Sequence, residues 1–128
     1  MRLLLTLAIP AVLAVTASSA VTGLQATWRA AGATEGQATA GQSLWTREAT
    51  GPDGKARSCA TCHASDPRKA GRHATTGEPI DPLAPSVEPT RFTDAATIEK
   101  WFGRNCKWTW GRECTPQEKA DFVAYVIQ

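Results

Sequence analysis

Several residue types and patterns that mark common protein classes are scarce or missing in this chain. Its 14 Lys and Arg stand against 12 Asp and Glu without a basic patch or a run of one charge, which argues against nucleic-acid binding. No alternating apolar pattern is long enough for a sheet, and no βαβ pattern is present. Methionine occurs only at Met1, and the two histidines are His63 and His73. The 128 residues therefore predict one small helical domain with few side chains that bind transition metals.

The N-terminal segment has the pattern of a secretory signal peptide. Arg2 supplies a positive charge, residues 3–15 are almost wholly apolar, and Ser18-Ser19-Ala20 is a small-residue cleavage site. The apolar run is too short for a comfortable membrane span. We expect cleavage of residues 1–20 after Ala20, which leaves residues 21–128 as a periplasmic domain that is not an integral membrane protein.

The most informative motif is Cys-Ala-Thr-Cys-His at residues 59–63. At this spacing Cys59 and Cys62 can each form a thioether with one vinyl group of a haem, and His63 then places an imidazole under the iron. A redox-active dithiol would need a βαβ context, and a zinc site would need a second Cys/His pair at finger-like spacing. Because both are missing, the motif predicts one covalently attached haem c with His63 as the proximal ligand.

Periodicity and capping signals predict an all-α domain of short helices around this haem. The predicted helices cover residues 24–31, about 38–50, a segment capped by Thr93 that stops at Gly103, and a last helix that begins with a capping box at Thr115. The proline-rich segment 64–89 is predicted to be irregular. Pro82 within it is a candidate carbonyl to accept the Nδ1 proton of His63.

The ligand on the other face of the iron decides the function. Since Met1 lies in the predicted signal peptide, the mature domain has no methionine ligand, which excludes the commonest electron-carrying cytochromes c. The remaining candidates are Asn105, His73, a lysine, or no protein ligand. Asn105 precedes Cys106, which can pair with Cys114 in an oxidising compartment. However, an asparagine after a helix is also a common C-cap.

Six segments outside the haem motif carry a family resemblance: residues 76–80, 82–86, 91–94, 99–106, 111–116 and 118–121. Their most specific parts are the Gly-Arg-Asn-Cys sequence that ends at Cys106 and the downstream Cys114. With these motifs the chain resembles the sphaeroides haem protein family, which are small bacterial class I-type cytochromes c. The resemblance implies a cytochrome c-like all-α fold around one haem and a disulfide between Cys106 and Cys114.

The resemblance also implies a role for Asn105. In that family the matching asparagine binds a high-spin ferric iron and leaves on reduction, which opens a site for oxygen, nitric oxide or carbon monoxide. We therefore expect a mono-haem cytochrome that transfers electrons and binds such gases, rather than a turnover enzyme. The electron donor would be a dihaem cytochrome c or a membrane cytochrome b. Trp108 and Trp110, between the two cysteines, are predicted to form an apolar lid in a loop.

Two alternatives assign a role to His73 instead. A plain electron-transfer cytochrome would use His73 as a second axial histidine and would keep its iron low-spin in both redox states. A peroxidase-like enzyme would need His73 near the iron but not bound to it, as a distal acid or base.

Overall fold

The computed structural model describes residues 17–128, so most of the predicted signal peptide lies outside the described residues. Five helices and two short hairpins form the described part of the chain. The helices are α1 (Ser19–Ala30), α2 (Ala38–Thr46), α3 (Cys59–His63), α4 (Ala95–Trp110) and α5 (Pro116–Val126), and the strands are β1 (Ala49–Thr50), β2 (Ala56–Arg57), β3 (Gly71–Arg72) and β4 (Pro79–Ile80). Strand β1 pairs with β2 and β3 with β4, both antiparallel. Within residues 17–128, no helix is long and apolar enough to cross a membrane.

Helices α1, α4 and α5 enclose the main apolar core. Its buried members are Val21, Leu24, Trp28, Ile98, Phe102, Cys106, Ala120 and Val123. Trp28 meets Phe102 edge-on, with 5.8 Å between the ring centroids, and its indole N–H donates to Glu99 Oε1 at 2.7 Å. The buried indole is therefore both packed and hydrogen-bonded, as a stable core requires. The predicted all-α fold is confirmed.

Helix α2 packs closely against α5 because Gly41 has no side chain. A Cβ atom at this position would overlap the backbone carbonyl oxygen of Asp121. Leu44 and the fully buried Trp45 lie three and four residues after Gly41, on the same side of α2. The close contact fixes Trp45 between α5 and the segment that follows α3, which places it beside the predicted haem motif.

Helix α4 is longer than predicted. The predicted stop at Gly103 is wrong, since the helix continues to Trp110 and ends at Gly111, whose φ of 71° is the left-handed conformation of a helix C-cap. Burial of side chains on both sides of Gly103 outweighs the cost of about 1 kcal/mol for a glycine within a helix. The N-cap is Asp94, whose carboxylate accepts from the Thr97 N–H at 2.7 Å, so the prediction of Thr93 is also wrong.

The N-terminal boundaries differ from the predictions as well. Helix α1 begins at Ser19 rather than at residue 24, and the Ser18 hydroxyl caps it by accepting from the Val21 N–H at 3.2 Å. The predicted cleavage point after Ala20 thus falls in the first helical turn. Helix α2 ends at Thr46, and strand β1 replaces its predicted last turn. The hairpin β3–β4 lies in the segment that was predicted to be irregular.

Helix α5 begins as predicted. The Thr115 hydroxyl accepts from the Glu118 N–H at 3.2 Å, and Glu118 Oε2 accepts from the Thr115 N–H at 2.9 Å, which is a complete capping box. The Glu118 carboxylate also binds Arg112 at 2.8 Å and Arg47 at 2.9 Å. Arg112, then the Thr115 N–H and Arg47, lower the pKa of Glu118 to about 2.

Candidate haem site

Helix α3 is a single turn that carries both predicted haem cysteines and the predicted proximal histidine. The Ser58 N–H donates to Thr61 Oγ1 at 2.9 Å, which stabilises the start of this turn. Cys59, Cys62 and His63 are three and four residues apart, so they project from one side of the turn. Neither cysteine is part of a disulfide. One side of α3 therefore presents two cysteine sulfurs and an imidazole together.

Trp45 contacts the C-terminal end of α3. Its indole N–H donates to the carbonyl of Ala64 at 2.9 Å, and its ring lies 5.9 Å from the His63 ring between centroids. Ala64 has a φ of 64°, in the left-handed region that residues other than glycine rarely adopt. Strand β3 passes so close that a Cβ on Gly71 would overlap the Cys62 carbonyl oxygen. These contacts set the direction of the chain immediately after His63.

The electrostatics of α3 fit a covalently attached haem. Burial, and secondarily the charge of Arg91, lower the pKa of His63 to about 4, so its imidazole is neutral, as a metal ligand must be. Before haem attachment, burial raises the pKa of the Cys59 thiol to about 11, so the thiol is protonated until the thioether forms. Within residues 17–128, His63 Nδ1 is buried without a hydrogen-bond partner. The Pro82 carbonyl, the predicted acceptor, receives no hydrogen bond from His63 Nδ1 and accepts from Arg91 Nε at 3.1 Å.

Asn105 lies in the C-terminal half of α4 and is exposed. It is the only asparagine of the chain, and within the described residues its side chain makes no hydrogen bond. The C-cap of α4 is Gly111, so the interpretation of Asn105 as a C-cap is wrong. Trp101 lies one turn before Asn105 and Trp108 one turn after it, which places all three on one side of the helix.

The predicted disulfide between Cys106 and Cys114 is present, with 5.6 Å between the Cα atoms. Cys106 is buried in the core on the side of α4 that faces α1 and α5. Cys114 directly precedes Thr115, the N-cap of α5. The disulfide therefore joins the last turns of α4 to the start of α5, one residue after Asn105.

The predicted loop with two tryptophans is in fact the last part of α4. Trp108 stacks on the Arg57 guanidinium, whose central carbon lies 4.3 Å from the ring centroid. Trp110 lies between Arg47 at 4.4 Å and Arg112 at 5.5 Å. The two indoles thus belong to different surfaces, and the description of both as one lid in a loop is wrong.

Arg57 has a role that its sequence context does not indicate. Its side chain is only 4% exposed and its Nη1 donates to Asp53 Oδ1 at 2.7 Å. Arg57 also precedes the haem motif by two residues, so it connects that motif to Trp108 on α4. No local pattern predicts such a contact, because an arginine in a turn is usually solvated.

His73 lies in the hairpin β3–β4 and its ring is part of the turn. His73 Nδ1 accepts from the backbone N–H of Thr75 at 3.2 Å and of Thr76 at 3.1 Å. A ring nitrogen that accepts hydrogen bonds carries no proton, so the proton of the neutral ring is on Nε2. This arrangement leaves neither nitrogen of His73 free to bind a metal ion without breaking up the turn.

Comparisons with known proteins agree with this site. A family model described as a domain of unknown function, DUF1924, matches residues 31–126. Cytochrome c-type protein SHP of Cereibacter sphaeroides is 47% identical over 103 residues, which cover 80% of this chain and 79% of the relative. The structure of oxidised SHP, described as an oxygen-binding cytochrome c, matches with a TM-score of 0.76 at 43% identity and covers 88% of this chain and 98% of that one.

A second relative is cytochrome c″ of Methylophilus methylotrophus. It is 40% identical over 89 residues, which cover 70% of this chain and 62% of the relative. Its solution structure, reported with insights into haem-ligand detachment, matches with a TM-score of 0.73 at 34% identity and covers 85% of this chain and 90% of that one. Both relatives are c-type cytochromes, and the predicted cofactor is confirmed: the chain has one covalently attached haem. The chain belongs to the DUF1924 family and, within it, to the c-type cytochromes related to the sphaeroides haem protein.

Proposed function

We propose that this cytochrome binds a small gas such as oxygen, nitric oxide or carbon monoxide at an iron whose ferric distal ligand is Asn105. Cys59 and Cys62 would hold the haem through thioethers, and His63 would be the proximal ligand. The relative SHP is described as oxygen-binding, which supports the gas as ligand. The position of Asn105 is the observation that carries the proposal for this chain.

Asn105 lowers the stability of α4 at its position, so its presence there indicates a function. Asparagine is a poor helix former because its side chain competes for backbone hydrogen bonds. In α4 it neither caps the helix nor makes a side-chain hydrogen bond within the described residues. The disulfide at the next residue, Cys106, restricts the backbone at this point. A fixed backbone with one free amide is what a weak and replaceable ligand requires.

The chemistry of the amide suits a redox-dependent ligand. The haem supplies an iron that gains or loses one electron and takes a ligand on each face. The amide oxygen of Asn105 is a neutral, hard and weak donor, so it favours the ferric over the softer ferrous iron. Asn105 would therefore leave after reduction, and its NH₂ group could then donate a hydrogen bond to the gas. Haem-ligand detachment, described for cytochrome c″, is a precedent among the relatives.

The histidine alternatives find less support. As a second axial ligand, His73 would lose two hydrogen bonds to the backbone of its turn, from Thr75 and Thr76. A peroxidase-like role would need His73 as a distal acid or base, and the same two hydrogen bonds hold its ring within the turn. No observation favours either function.

The cellular setting is part of the proposal. The signal-peptide pattern of residues 1–20 supports export to the periplasm, where covalent haem attachment takes place. The electron donor would be a dihaem cytochrome c or a membrane cytochrome b, as the family resemblance implies.

The test compares Asn105→Ala with His73→Ala in the holoprotein. We expect Asn105→Ala to keep its haem but to open the ferric iron to water or added anions, which changes the ferric absorption spectrum. His73→Ala is the matched control and should leave this spectrum unchanged. An unchanged ferric spectrum in Asn105→Ala, or a change in His73→Ala alone, would overturn the assignment.

A further inference from the structure

We infer that Trp101 and Trp108 form the two walls of the gas-binding pocket on either side of Asn105, and that Arg57 positions Trp108. The inference rests on the proposed function, because it takes Asn105 as the distal ligand. It assigns the entry and retention of the gas to two indoles of α4, and it excludes Trp110.

Helix geometry places the two indoles around Asn105. Trp101 precedes Asn105 by four residues and Trp108 follows it by three, and residues at these separations are neighbours on a helix surface. The buried side of α4 is formed by other residues, including Phe102 and Cys106, which face the core. A side chain that reaches from Asn105 to a ligand is therefore flanked by one indole in each direction along the helix.

The side of α4 that carries Asn105 also presents two exposed indoles. Trp101 is 46% exposed and Trp108 39% exposed, and together with Val87 they are the exposed large apolar side chains of the described chain. Two large aromatics on one side of a helix that also carries Asn105 form an apolar patch rather than scattered surface residues. The haem, a flat apolar group carried by α3, is the partner that would cover it.

The two walls differ in how they are held. Trp108 is stacked on Arg57 at 4.3 Å, and Arg57 is itself buried and fixed by Asp53. Trp101 is approached only by cations of its own helix, Lys100 at 5.7 Å and Arg104 at 5.1 Å, and within residues 17–128 its indole N–H has no acceptor. Trp108 is thus a fixed wall, and Trp101 is the side chain free to move when a gas enters.

Trp110 provides the matched control within the same helix. It lies two residues beyond Trp108 and therefore points about 160° away from it around the helix, by the 100° turn per residue. Its indole N–H donates to the Arg47 carbonyl at 3.3 Å, and its ring lies between two arginines. A change at Trp110 should affect the contact between the end of α4 and the segment that follows α2 without affecting the pocket.

The experiment measures the association rate of carbon monoxide with the dithionite-reduced holoprotein. We expect Trp101→Ala and Trp108→Ala each to raise this rate several-fold, because each removes a wall, while Trp110→Phe leaves it unchanged. Trp101→Phe and Trp108→Phe serve as milder variants where an alanine variant does not fold. Rates for all pocket variants that equal the rate of Trp110→Phe would overturn the inference.

Arg57 is tested by its own readout. Arg57→Lys keeps the charge next to Asp53 but lacks the flat guanidinium that stacks on Trp108. We expect it to raise the carbon monoxide rate in the same direction as Trp108→Ala, and to add no further increase in a Trp108→Ala background. Additive effects would show that Arg57 does not act through Trp108.

The ferric spectrum separates this inference from the proposed function. A normal response of Asn105→Ala with unchanged rates in the tryptophan variants would overturn the inference alone. An unchanged ferric spectrum in Asn105→Ala would overturn the proposed function whatever the tryptophan variants do.

Discussion

Replacing Cys114 by Ala should lower the stability of the holoprotein by an amount set by the length of the disulfide loop. The two cysteines are 8 residues apart, and the chain-entropy model for such a loop gives roughly 2.5 kcal/mol at 25 °C. Cys106 remains in the core as a buried thiol, so the variant loses the covalent link without leaving a cavity in the core. For a domain of this size, this loss corresponds to a fall in Tm of about 10 °C.

The assay is thermal unfolding of the ferric holoprotein, followed by far-ultraviolet circular dichroism without reductant. The double variant Cys106→Ala/Cys114→Ala should lose about 1 kcal/mol more, because it also removes a buried sulfur. A Tm within about 2 °C of the parent for Cys114→Ala would contradict the reasoning, since it would mean that the ends of α4 and α5 stay together without the disulfide.

Three further predictions concern the helices that support the site. Asp94→Ala removes the N-cap of α4, whose carboxylate accepts from the Thr97 N–H, and should cost about 1 kcal/mol in the free energy of unfolding by urea; an unchanged value would mean that α4 begins elsewhere. Gly41→Ala should lower the free energy of unfolding by about 2 kcal/mol or more, because its Cβ meets the carbonyl of Asp121. Gly23→Ala is the control: its Cβ meets nothing within 4 Å, so it should stabilise α1 by about 1 kcal/mol. Equal changes in stability for the two variants would refute the close contact at Gly41. The pKa of Glu118 is lowered from 4.5 to about 2, so the stability that its charged form contributes is present above pH 4.5 and is lost as the pH falls towards 2. Glu118→Gln should therefore be less stable than the parent at pH 7, and the difference in stability between the two should be smaller at pH 3.

Signals that lie within a few residues of one another could be read from the sequence. The capping box at Thr115 and the Cys-Ala-Thr-Cys-His motif each depend on contacts inside one or two helical turns, and the structure has both in place. The absence of a methionine ligand is also a property of composition alone. The all-α fold followed from helical periodicity, which describes long amphipathic segments well.

The errors come from contacts between distant parts of the chain. Gly103 reads locally as a helix stop, but packing of α4 against α1 and α5 carries the helix on to Trp110. The stacking of Trp108 on Arg57 joins residues 51 positions apart, and no local pattern predicts it. The short pairing of β3 with β4 depends on His73 and its turn, which composition alone does not indicate.

The length of α4 bears on whether Asn105 can be the distal ligand. Asn105 was predicted to lie after a helix, where a capping role competes with ligation. Because α4 continues past Asn105, this residue does not cap the helix, and its side chain lies on the exposed side of α4 beside Trp101 and Trp108. The position of Asn105 inside α4 therefore supports its role as the distal ligand.

The central claim is that the distal ligand is weak and leaves on reduction. The most direct test is the absorption spectrum of the purified holoprotein, first ferric, then reduced with dithionite, before and after carbon monoxide is added. The account predicts a high-spin spectrum that shifts at once with carbon monoxide. A low-spin spectrum in both redox states that does not respond to carbon monoxide would contradict it and would point to a permanent second ligand such as His73.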